Sequence, residues 1–86
     1  MKERPERAAV IVWIDIEDCT SSGWVSQREA KRDAQRGFKA LHSVGFVIYE
    51  DEERICLAST WGPETSGVLR IPKGVCKSIT YIDLQK

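Results

Sequence analysis

The sequence predicts a mainly β fold, a five-stranded small antiparallel barrel with one short helix between strands 1 and 2. Three observations lead there. Five runs rich in β-branched and aromatic residues are spaced through residues 8–84, a composition suited to a pleated, half-buried surface. Two of these runs are joined by the acidic tip Glu50–Glu53, a connection short enough for an antiparallel hairpin. A single helix-start signature lies between the first and second runs. Closing five short strands on themselves removes their exposed edges.

Taken in order, residues 1–7 form a charged N-terminal arm containing Pro5 and are expected to fray, leaving 8–86 as one barrel domain. Ala8–Ile16 (AAVIVWIDI) reads as a strand covered on both faces, with Trp13 in the core. Asp18–Gly23 is a cluster of small turn-formers and therefore a loop. Ser26 with Glu29 three residues later matches the capping box, and Val25 with Ala30 the hydrophobic staple. The helix then runs from Gln27 to Arg36, polar almost all round, with Gly37 as a left-handed stop. SVGFVIYE and RICLAST are the hairpin strands, Trp61–Gly67 is a loop, Val68–Ile71 a short strand, Pro72-Lys73-Gly74 a tight turn and Val75–Leu84 the last strand.

Composition narrows the function classes. A chain of 86 residues buries only about 60–65% of its unfolded surface, so assembly into a homo-oligomer is expected to supplement its core. Thirteen basic and thirteen acidic side chains cancel, and no global field draws the protein to nucleic acid or membrane. Cys19, Cys56 and Cys76 are odd in number and lack a CxxC pair, which argues against a disulfide framework or a zinc site. MKERPER followed by a short apolar run broken at Asp15 is neither a signal peptide nor a spanning helix, so a reducing cytoplasm is the expected compartment. The single histidine, His42, has no evident nucleophile beside it, and no catalytic set, metal or cofactor is expected.

The second half resembles the Sm-like small β-barrel. Residues 41–84 carry the likeness: a Gly45-Phe46-Val47 strand, an acidic tip, the ICLAST strand, VLRIPKG and a final VCKSITYI strand, with IVWIDI as the first strand. The resemblance implies a bent five-stranded sheet that assembles into rings and binds RNA. Two departures stand against the RNA site: the helix follows the first strand instead of preceding it, and EDEE replaces the family's RNA-binding tip. A second resemblance is to short bacteriophage proteins, through Trp13-x-Asp15, Ser22-Gly23-Trp24, Ser43-Val44-Gly45 and Ile71-Pro72-Lys73-Gly74. It implies a protein acting in the cytoplasm of an infected bacterium, where compact phage proteins sequester nucleotide immune signals.

The residues themselves point to a binding surface. Trp24 and Trp61 lie in or beside Gly/Ser-rich loops, where a flat indole can stack on a base. Ser21, Ser22 and the backbone around Gly23 can hold an anion, and Arg70 and Lys73 supply positive charge. Arg28, Lys31, Arg32, Arg36 and Lys39 make the helical segment basic while the hairpin tip is acidic, a polarity suited either to head-to-tail contact between copies or to anion binding. The expectation is a non-enzymatic, oligomeric protein that sequesters a small anionic, nucleotide-like ligand. The alternatives are an RNA-binding Sm-like module and a protein-interaction module that blocks a host enzyme.

Overall fold

The computed structural model describes residues 4–19 and 23–85. The chain runs through β1 (Arg7–Ile14), α1 (Gln27–Ala34), β2 (Ala40–Glu50), β3 (Arg54–Ala58), β4 (Thr60–Trp61), β5 (Thr65–Ser66), β6 (Leu69–Pro72), a 3-10 turn at Lys73–Val75, and β7 (Cys76–Asp83). Five of the strands form one antiparallel sheet in the order β6-β3-β2-β1-β7, and β4 pairs with β5 separately. Each apolar run expected as a strand contributes one strand of the main sheet. The residues expected to form a loop at Trp61–Gly67 instead contain three of the four residues of the small β4–β5 ladder, in which the Thr65 hydroxyl donates to the Thr60 carbonyl at 2.6 Å.

The expected closure into a barrel is not seen among the described residues, because β6 and β7 remain sheet edges with no ladder between them. β6 has only four residues and spends one side on β3.

Register places two faces unambiguously. Ala9 pairs with Gly45 and Tyr81, Ile11 with Ser43 and Ile79, Leu57 with Val47 and Leu69, and Ile55 with Glu50 and Ile71. These residues point to the inner face, where Ala9, Ile11, Ile55, Leu57 and Ile71 form the buried cluster. Trp13 packs against that cluster as expected and donates its indole N–H to the Ser43 hydroxyl at 3.0 Å. Residues of opposite parity form the outer face: Val10, Val44, Phe46, Tyr49, Cys56, Ala58, Arg70 and Ile82.

β3 approaches β2 closely at Gly45. A Cβ added to Gly45 would meet the Ala58 carbonyl oxygen at 2.9 Å and Leu57 Cβ at 3.1 Å. Only glycine permits backbones to approach so closely. Directly after it, the β2–β3 register slips between Val47 and Tyr49, a bulge that increases local twist.

Between β1 and β2 the chain leaves the sheet. Residues 15–19 and 23–39 form a projection carrying α1, which buries none of its residues. Its cap is the one expected: the Ser26 hydroxyl accepts from Glu29 N–H at 3.1 Å, and Val25 and Ala30 are both half-buried. Its stop differs. Gly37 has no positive φ, and the helix instead ends at Gln35, whose N–H donates to the Arg32 carbonyl at 3.3 Å while Arg36 N–H donates to the Asp33 carbonyl at 3.2 Å. The Arg36 guanidinium also donates to the Asp33 carboxylate at 2.7 Å. Tight i→i−3 backbone bonds satisfy the last carbonyls here, so no left-handed residue is required.

At the other end the chain is tied down earlier than the sequence suggests. β1 begins at Arg7, Glu6 accepts from Leu84 N–H at 2.9 Å, and Pro5 accepts from the Gln85 side chain at 3.0 Å. No helix among the described residues is long and apolar enough to cross a membrane.

Candidate ligand-binding surfaces

The residues singled out for ligand binding fall in three places within one copy. Gly23 and Trp24 lie on the projection. Gly23 has φ +88° and Trp24 is 94% exposed. Ser21 and Ser22 lie outside the described residues. Trp61 and Arg70 belong to the outer face of the sheet. Lys73 lies apart from both, in the turn after β6.

Lys73 is committed to structure. Its ammonium sits 2.8 Å from the Glu50 carboxylate, which also accepts from Arg7 at 3.2 Å and from the Tyr81 hydroxyl. Arg7 lies over the Tyr81 ring at 4.7 Å. Partial burial pushes the Glu50 carboxyl up, but hydrogen bonds from Lys73 and Tyr81, with the charges of Lys73 and Arg7, outweigh it and hold the group below its ordinary value. The same bond raises Lys73. This network joins β1, β2 and β7 to the turn after β6. The sequence gives no local sign of it, since Arg7 and Glu50 are 43 residues apart.

The outer face of β3 is different in kind. Tyr49 and Arg70 flank Cys56 in the register, and Arg54 shares that face one step along. Beyond them Phe46 lies opposite Ala58, and Trp61 meets the Phe46 ring nearly edge-on, at 6.4 Å and 70°. Trp61 therefore does not plug the inner face. It sits about 7 Å along β3 from the Arg70 level, the rise of two strand residues. A shallow groove of about 260 Å³ runs beside Glu53, Arg54, Arg70 and Pro72.

Two donors on this surface lack acceptors. Trp61 Nε1 and Arg54 Nε are both buried without a hydrogen-bond partner. Arg54 Nε lies 3.4 Å from an Asp51 carboxylate oxygen, within ion-pair range but without hydrogen-bond geometry. Arg70 has no ion pair among the described residues and is exposed. Buried N–H groups left unpaired cost about 1–3 kcal/mol each, and both atoms are closed to solvent, so an acceptor reaches them only after a side chain moves.

The acidic tip is mostly self-neutralised. Glu50 is taken by Lys73 and Arg7, and Asp51 and Glu53 pair with Arg54. Asp51 also accepts from the Glu53 and Arg54 N–H groups and from the Tyr49 hydroxyl. Only Glu52 remains without an ion pair among the described residues of the tip.

A larger cleft, about 380 Å³, lies in the projection between Glu17–Cys19 and the end of α1, with Arg36, Phe38 and Lys39 on its wall. Its size suits a small molecule, but Glu17, Asp18 and Asp33 outnumber its cations. Arg36, raised chiefly by its bond to Asp33, is already engaged.

No family model, curated protein or solved structure matches this chain. The functional reading therefore rests on the geometry above.

Proposed function

We propose that the protein is a non-enzymatic binding module, working as a homo-oligomer, that sequesters a small anionic, nucleotide-like ligand on the outer face of β3. The pair of unsatisfied donors, Trp61 Nε1 and Arg54 Nε, carries this reading. Arg54 and Arg70 line one groove, and guanidinium suits phosphate oxygens through its fixed fork of donors. Tyr49 at the Arg70 level, and Trp61 beside Phe46 further along β3, offer aromatic surface for a flat base. The five-stranded antiparallel order supports the likeness to the Sm-like family. Sequestration requires only a fitted surface. Held in this way, a nucleotide signal is kept from its receptor, the counter-defence role implied by the resemblance to phage proteins.

Calorimetric titration with mononucleotides and cyclic dinucleotides tests the proposal. Trp61→Phe keeps a ring against Phe46 while deleting the N–H, and Arg70→Gln deletes the charge. Each is expected to weaken binding at least about tenfold, the loss of one charged or buried hydrogen bond. Unaltered affinity in both variants, or no binding by the native chain, overturns it.

A further inference from the structure

We propose that two copies exchange their projections, residues 15–19 and 23–39, each lying across the outer face of the other's sheet. This deepens the oligomeric reading above and rests on it.

One copy displays two apolar surfaces that it does not bring together. The projection holds Ile16 at 91% exposure and Phe38 at 67%, with Trp24 between them in sequence. The outer face holds Val44 at 69% and Ile82 at 44%, beside Val10 and Phe46 in the register. β1 is thus apolar on both faces, a pattern typical of strands covered on both sides. α1 buries nothing, so the projection is not this sheet's cover.

The size of the uncovered surface indicates what fits it. The radius of gyration is 17.3 Å, against about 12 Å for a compact chain of this length. The accessible surface is 6886 Å², against about 5,200 Å² for a compact chain of this mass. The excess of about 1,700 Å² per copy exceeds the roughly 800 Å² per partner of a standard interface and falls in the range of obligate homodimers. A reciprocal exchange removes both apolar surfaces in one contact.

Charge agrees. The net charge is zero, so copies do not repel one another. Among the described residues, Arg28, Lys31 and Lys39 on the projection have no ion pair, nor does Glu52 at the opposite end of β2 or Glu64 beside Trp61. Antiparallel exchange carries the cations of one copy toward these carboxylates of the other. It also brings the partner's Trp24 onto the face that bears Trp61 and Arg70, so both copies wall each ligand surface.

Sedimentation equilibrium without ligand, over a wide concentration range, is the test. The native chain should sediment as a dimer. Val44→Asp and Trp24→Ser, each at a solvent-exposed position, should raise the dimer dissociation constant at least about tenfold, as loss of an interface anchor does. Circular dichroism should remain native. A native monomer throughout, or an assembly that persists unchanged in both variants, refutes the exchange. Nucleotide titration separates the two proposals. A dimer that binds no nucleotide sinks the function and leaves the exchange standing. Unchanged affinity in monomeric Val44→Asp sinks the shared wall and leaves the function standing.

Discussion

Glu50 shows how much one side chain can organise in a small domain. Its side chain is 16% exposed and gathers Lys73, Arg7 and Tyr81. Its carboxyl is held below its ordinary value, so its contribution is present above the unfolded pKa of about 4.3 and lost as pH falls through the folded value. Lys73 is raised, so its contribution is present below about pH 10.4 and lost as pH rises through its folded value. Glu50→Gln should lower stability at neutral pH by about 1–2 kcal/mol and flatten the acid side of the profile. Urea unfolding between pH 3 and 7 measures both effects, and parallel curves for the two proteins would remove Glu50 from this role. The role was hidden in the sequence, where Glu50 reads as one of four equivalent tip acids.

Elements differ in how far local chemistry decides them. α1 was legible because its start is written in neighbouring residues: Ser26 caps Glu29, with Val25 and Ala30 beside it. Its end was not, because backbone N–H groups of Gln35 and Arg36 close the last turn two residues before the glycine. Ser26→Ala should cost the helix about 1 kcal/mol, yet α1 buries nothing. Amide exchange in residues 27–34 should therefore accelerate several-fold while the urea midpoint of the sheet hardly moves. A matching loss of sheet stability would show that α1 is coupled to the core. The strands were legible from their apolar runs, but β4 and β5 are two residues each, too short to leave a pattern. Their ladder depends on Ser59 and Gly67, where Ser59 N–H and its hydroxyl both donate to the Ser66 carbonyl at 3.1 Å.

At the scale of the whole molecule, the buried cluster is small and the projection lies off the sheet. A core of five principal residues leaves a domain of this length marginal alone. Stability should then depend on self-association, with the thermal midpoint rising as protein concentration rises, because assembly favours the folded state by mass action. Calorimetry over a hundredfold dilution checks this. A concentration-independent midpoint would mean that one copy is stable by itself. The candidate site was legible in part: Trp61 and Arg70 lie on one face, Gly23 and Trp24 lie on the projection, and Lys73 is held by Glu50. Tyr49 and Arg54 were missed as partners of Arg70, because a bulge at Val47/Tyr49 sets Tyr49's side.

By itself the sequence determined the class of fold, the five main strands, the helix start and the neutral charge, all of which follow from short-range periodicity and side-chain chemistry. Only the tertiary structure decided which residues share a face, that the sheet stays open, and that one carboxylate holds the turn after β6 to β1, β2 and β7. Those outcomes depend on register and on close approach at Gly45, where residues far apart in the chain meet. No local pattern can encode such meetings, because their energy exists only once the strands have paired.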